Sequence, residues 1–238
     1  MTMLINPYVF AAAVAPGGGG TGLWVVDMTD AGIYPFDPAT GATGTFIDLS
    51  AAGGTCRDVA FDSNGDYWLA NSTRYIRKFT GGTNTQVDSI YVTESSRGVA
   101  VDSNGDLWVN DAADILYRYT TAGTLLNTAS APGSTSNIRG MSFTSGGLLA
   151  YVSSAADTAY FADVSTPSSP TLSRSFTFAS DLTGISIAAD ETEWVSSYNA
   201  KTINEFPAGT TGTLPTATQS DAWPGSQNYG LAWDVHFS

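Results

Sequence analysis

The sequence predicts an all-β chain folded as a five-bladed β-propeller, closed by pairing of its N- and C-terminal strands in one blade and preceded by a short N-terminal arm. Three observations carry this. A strand motif recurs five times at spacings of 40, 42, 44 and 46 residues. Each full unit holds four β-type segments, and the two chain ends are complementary pieces of one further unit. Repeats of this period with four antiparallel strands are the blades of a propeller.

The first strand of the unit is "RDVAF" (57–61), "RGVAV" (97–101), "RGMSF" (139–143), "TGISI" (183–187) and "YGLAW" (229–233). Each copy has Gly, or once Asp58, then an apolar residue, a small residue and a large apolar one. This period-two alternation belongs to a strand. Seven or eight residues further on, an aromatic marks the second strand: Trp68, Trp108, Tyr151 and Trp194. A third strand follows as "YIRKF" (75–79), "ILYRY" (115–119) and "TINEF" (202–206), and then a more polar fourth, such as "QVDSIYV" (86–92) or "LSRSFTF" (172–178). At the N-terminus "GLWVVD" (22–27) aligns with the second strand and "GIYPFD" (32–37) with the third, while the C-terminal "YGLAWDVHFS" is a first strand without partners. Pairing the two ends removes the exposed edges of an open array. The domain division is therefore residues 1–20 for the arm and hinge, and 21–238 for the ring.

The stretch "DSNGD" occurs at 62–66 and 102–106, between first and second strands. As a turn, Asn-Gly supplies positive φ angles and the flanking Asp residues accept backbone N–H bonds. As half of a calcium loop it lacks oxygens, and other units read "TSGGL" and "AADETE" in its place. The turn is the preferred reading, and no metal or cofactor is implied.

Charged residues make up only 13% of the chain and the net charge is −13, with two lysines and seven arginines. That balance excludes phosphate neutralisation of a nucleic acid and docking on anionic lipid. No apolar run reaches the roughly 18–20 residues of a membrane span. A single cysteine, Cys56, excludes an intrachain disulfide and reads as a small buried hydrophobe. One histidine, one cysteine, no G-x-S-x-G and no P-loop leave no nucleophile–base set, so no catalytic residue is assigned.

Candidate binding residues lie at repeat positions that symmetry brings round a channel mouth. Asp27, Asn71 and Asp111 each stand three residues after the second-strand aromatic, where capping of nearby backbone competes with a ligand role. Arg57, Arg97, Arg139, Thr183 and Tyr229 each precede the first-strand Gly or Asp. Three of nine cationic side chains at one repeat position either pair with acids of adjacent blades, such as Asp58 or Asp111, or bind an anionic group of a ligand or partner.

The pattern at 97–109, "RGVAVDSNGDLWV", resembles NHL-type and streptogramin-lyase-like propeller repeats, over about residues 22–238. The resemblance implies the fold; propellers of this kind serve as enzymes, platforms and scaffolds alike. Its lyase members are expected to use histidines and magnesium at the channel mouth. Here the single His236 falls in a first-to-second strand turn on the opposite face, which departs from that pattern. The N-terminal "MTMLINPYVFAAAVA" resembles the arms of tailed-phage virion proteins. Leu4, Ile5, Tyr8, Val9 and Phe10 would be its partner-binding residues, and "PGGGG" (16–20) a hinge. A secretory signal ending at Ala13-Val14-Ala15 is a competing reading, but it lacks a positive n-region and Asn6-Pro7 interrupts it. A third reading makes the arm a strand covering the propeller.

These readings converge on a non-enzymatic structural or binding protein at the surface of a tailed-phage virion, a capsid decoration or tail adhesin-like component. Its partners would be other capsid or tail proteins and a host surface glycan. The alternative is a secreted or periplasmic carbohydrate-binding or lyase-like propeller enzyme.

Overall fold

The computed structural model describes residues 10–11, 22–133, 137–178, 181–198, 200–213, 215–222 and 228–233, with backbone alone at 10, 11, 222, 228–230, 232 and 233. Five sheets form the ring. From axis to rim, blade 2 is Cys56–Phe61, Tyr67–Asn71, Tyr75–Phe79 and Gln86–Tyr91. Blade 3 is Gly98–Val101, Leu107–Asn110, Ile115–Tyr119 and Leu125–Ser130. Blade 4 is Ile138–Phe143, Leu148–Ser153, Thr158–Asp163 and Thr171–Thr177. Blade 5 is Leu182–Ile187, Glu193–Ser197, Thr202–Phe206 and Gln219–Ala222.

Blade 1 is composite, as the chain ends require. Asn228–Trp233 is innermost and pairs antiparallel with Leu23–Asp27 through Trp24↔Ala232 and Val25↔Leu231. Gly32–Asp37 follows, with the short strands Ala42–Thr43 and Ile47–Asp48 on its outer edge. Ring closure therefore rests on backbone ladder bonds between the two ends of the chain. A vacancy that the sequence does not reveal lies in the same blade. Leu23–Asp27 and Gly32–Asp37 pair directly at Val26↔Ile33, and beyond that point Phe10–Ala11 lies between them. It runs antiparallel to the first (Phe10↔Trp24) and parallel to the second (Phe10↔Tyr34). This pairing agrees with the covering-strand reading for these two residues. Leu4, Ile5, Tyr8, Val9, the hinge at 16–20 and His236 lie outside the described residues.

Burial falls from axis to rim. The second strands are buried along their whole length, apart from the partly buried Leu148 of blade 4, because each sheet is sandwiched between its neighbours. At their repeat position sit Trp24, Trp68, Trp108, Tyr151 and Trp194, all buried. Aromatic side chains of this size dominate core energetics. Outermost strands such as Gln86–Tyr91 are mostly exposed.

The turn after the first strand is the same in four blades whatever its sequence. Asp62 N–H donates to Asp66 O and Gly65 N–H to Asp62 O; residues 102–106, 144–148 and 188–192 repeat both bonds. Gly65, Gly105 and Gly147 hold the single left-handed position, with φ of 80°, 83° and 82°. Asn64 is absent from the positive-φ residues, so the loop is a type I turn closed by a left-handed residue rather than a turn with two positive φ angles. In blade 5 Glu191 takes that position at φ 67°.

Candidate functional site

The innermost strands surround the ring's axis, whose two mouths differ. At one lie the strand starts with Arg57, Arg97 and Arg139; at the other lie the DSNGD turns.

On the arginine face a bulge shifts the register between Cys56 and Asp58, between Ile138 and Met141, and between Leu182 and Gly184. Bulges of this kind re-aim the extra residue, here Arg57, Arg139 and Thr183. Arg57 Nη1 donates to Ser95 Oγ at 3.1 Å and to Ser96 O at 3.0 Å, in the segment leading into blade 3. Arg97 Nη1 donates to Asn137 Oδ1, leading into blade 4. Arg139 Nε donates to Ser154 Oγ at 3.4 Å. Thr183 Oγ1 shares a 3.2 Å hydrogen bond with Ser196 Oγ. The side chain of Tyr229 lies outside the described atoms.

Asp27, Asn71 and Asp111 cap the loops that follow their strands. Asp27 accepts from Thr29 N–H at 2.5 Å and Asp30 N–H at 2.8 Å. Burial pushes its pKa up to about 8, against the lowering effect of those two bonds. Asn71 Nδ2 donates to Gly53 O at 2.9 Å, and its Oδ1 accepts from Thr73 N–H at 3.0 Å. Asp111 Oδ1 accepts from Ala113 N–H and Ile115 N–H, and its Oδ2 from the Tyr117 hydroxyl at 2.9 Å. Each of these side chains satisfies the ring's own backbone, the role such residues have at strand ends.

Between the mouths the axis is plugged. Asp58, fully buried, stands where other copies have Gly. Its Oδ2 accepts from Val99 N–H at 2.9 Å and from Met141 N–H at 3.0 Å, so one carboxyl ties blade 2 to blades 3 and 4 across the axis. Its Oδ1 has no partner among the described residues. Burial holds this carboxyl well above the usual range, which favours the neutral acid. The neighbouring positions cannot accept a side chain without a shift: a Cβ on Gly98 would lie 2.3 Å from Arg139 O.

The turn face carries what the sequence reading missed. A cavity of about 310 Å³ opens there, lined by the apolar Val59, Phe61, Val101, Met141, Phe143 and Ile187 and rimmed by Ser63, Ser103, Thr144 and Ser145. The two DSNGD loops flank it, and each grips a cation from its own third strand. Lys78 Nζ lies 2.9 Å from Asp62 Oδ2 and 3.0 Å from Asp66 Oδ2. Arg118 Nη2 lies 2.8 Å from Asp102 Oδ2 and 2.9 Å from Asp106 Oδ2. Each cation also sits 5.8 Å from the ring centre of the blade's tryptophan, Trp68 or Trp108. The Asp pairs thus hold internal ammonium and guanidinium groups. Among the described residues no group of three or more His, Cys, Asp or Glu is placed to hold a metal ion.

The ring is a five-bladed β-propeller, and its fold resembles those of solved streptogramin B lyase structures. It is similar to a streptogramin B lyase structure at 15% identity and TM-score 0.56, over 86% of this chain and 70% of that one. It is similar to virginiamycin B lyase from Staphylococcus aureus at 15% identity and TM-score 0.53, over 80% and 70%. A protein of unknown function from Bacteroides caccae matches at 12% identity and TM-score 0.56, over 84% and 72%. At these identities the likeness is one of fold. No protein-family model matches the sequence, and no curated protein does.

Proposed function

We propose that the protein is a non-enzymatic binding and structural component on the surface of a tailed-phage particle, held to other virion proteins by its N-terminal segment. The observation that carries the binding reading is the use of polar groups at the arginine face. Arg57, Arg97, Arg139, Asp27, Asn71 and Asp111 all hydrogen-bond within the ring. The opposite mouth offers a cavity of apolar and hydroxyl side chains whose lining carboxylates, Asp62 and Asp102, are already paired with Lys78 and Arg118. This suits a neutral ligand held by contact and hydrogen bonds, as a glycan or a partner's loop would be. The virion placement rests on the resemblance of residues 1–15 to tailed-phage arms. The lyase-like alternative is supported by fold likeness alone.

Two measurements test the proposal. Quinupristin is the compound in a structure of catalytically inactive virginiamycin B lyase that this fold resembles at 14% identity and TM-score 0.53. Incubation of the purified protein with quinupristin, followed by mass spectrometry, is expected to leave that compound intact; catalytic cleavage would favour the enzyme. Proteomics of purified particles from a producing culture is expected to find the chain in fixed proportion to capsid or tail proteins. Recovery only from the soluble fraction would overturn the virion role.

A further inference from the structure

Blade 5 lacks the internal cation of blades 2 and 3, and a cavity lies at the equivalent place. The strand registers align the three blades: Trp68 pairs with Lys78, Trp108 with Arg118, and Trp194 with Glu205. The turn carboxylates Asp62 and Asp66 correspond to Ala188 and Thr192. At the spot where a cation lies against tryptophan in the sister blades, blade 5 presents an acid. Blade 4 resolves the same position differently, with Tyr160 stacked on Tyr151 at 5.6 Å.

The cavity, of about 240 Å³, is lined by Trp194, Glu205, Asp190, Thr192, Gln219 and the Pro38–Ala39 corner of blade 1. Its Glu205 carboxylate is not consumed by the fold. No hydrogen bond or ion pair of the Glu205 carboxylate occurs among the described residues, and Asp190 Oδ1 accepts from Thr192 N–H at 3.0 Å. Gln219 spends its amide on the wall itself, donating to Pro38 O and to Asp221 Oδ2. The opening therefore combines an indole wall, an uncompensated carboxylate half-buried beside it, and room for a side-chain head group. An indole face with a neighbouring carboxylate attracts ammonium and guanidinium groups.

We infer that this cavity is a binding site for an organic cation from outside the chain, an alkylguanidinium or alkylammonium group, which takes the place that Lys78 and Arg118 fill in blades 2 and 3. The planar guanidinium suits the combination of an aromatic face and a carboxylate better than the compact ammonium does. The inference stands apart from the virion reading, since it rests on the cavity between blades 5 and 1 and not on the N-terminal segment.

Calorimetric titration of the full chain tests it with three probes: Nα-acetyl-arginine amide, its uncharged analogue Nα-acetyl-citrulline amide, and agmatine. Saturable binding of the arginine probe, at least about fivefold tighter than citrulline, is expected. Glu205→Gln should weaken the arginine probe by a similar factor. Glu205→Lys, which supplies the cation internally, should abolish binding while circular dichroism shows the ring still folded. Because Trp194 is core, it is left in place. Tighter binding of agmatine than of the amide would support a free small cation as ligand; the reverse order would support a partner's arginine side chain. Equal binding of the arginine and citrulline probes, or unchanged arginine binding in folded Glu205→Lys protein, would overturn the site.

Discussion

Replacing Lys78 by Met probes the reading of the DSNGD loops. The ammonium lies 2.9 and 3.0 Å from two carboxylates and 5.8 Å from the centre of Trp68. Burial works to lower its pKa, but the hydrogen bonds it donates to Asp62 and Asp66 outweigh that and hold it above the ordinary lysine value. Methionine keeps the apolar stem while leaving two facing carboxylates without a counter-ion. Exposed ion pairs contribute about 0–1 kcal/mol and breaking a fully buried one costs about 3–5 kcal/mol. With side-chain exposures of 18% for Lys78 and 12% for Asp62, this cluster lies between those limits, so a loss of about 2 kcal/mol is expected. For a chain of this length that is roughly 4–8 °C in melting temperature. Adding Asp62→Asn and Asp66→Asn to Lys78→Met should recover most of the loss, because the repulsion goes with the charges. Scanning calorimetry with and without calcium is the assay. A shift below about 1 °C for Lys78→Met would refute the clamp, since a largely buried cluster contributing about 2 kcal/mol should exceed that several-fold. Stoichiometric calcium binding by the wild-type protein would refute it as well.

Two further predictions concern the ring. Deleting residues 228–238 removes the innermost strand of blade 1 and exposes the Leu23–Asp27 edge, so cooperative loss of the β circular-dichroism signal is expected. A truncated chain with native melting would refute closure by this strand. Asp58 has its folded pKa raised by burial, so its favourable contribution is complete below the unfolded carboxylate range and is lost as pH rises toward the folded value. Asp27, with a folded value of about 8, acts in the same direction. Asp58→Asn should therefore narrow the difference in melting temperature between pH 5 and pH 9 relative to wild type, and an unchanged difference would contradict a buried, protonatable axial carboxyl.

The five inner strands were legible because they crowd one another at the arginine mouth, where Gly98, Gly140 and Gly184 lie near the starts of their strands, and open toward the turns. That matches the Gly–apolar–small–large order at 98–101, 140–143 and 184–187. Closure was legible because residues 22–37 and 229–233 are halves of one unit. The cation clamps were less visible, since they join a turn to a strand two elements on. A signal was nonetheless present: Asp62 precedes Lys78, and Asp102 precedes Arg118, by the same 16 residues. The cavity on the turn face and the place of Phe10–Ala11 depend on how far strands separate in space, and sequence pattern carries no measure of that. The arginine positions show the opposite limit. Their clustering follows from symmetry, but their hydroxyl, carbonyl and amide partners come from loops without a repeat.

The central claim is that the chain segment before the ring fixes it to a particle. Because Phe10–Ala11 pairs within blade 1, the informative truncation removes residues 1–9 and leaves that pairing in place. Residues 1–9 carry Leu4, Ile5, Tyr8 and Val9 with no charged side chain, as a segment docking on a partner's apolar surface would. Particles assembled in the presence of full-length or truncated protein, purified by density gradient and quantified by mass spectrometry, give the test. The account predicts that the truncated protein keeps the wild-type melting temperature but is absent from the particles; incorporation at the full-length level would contradict it.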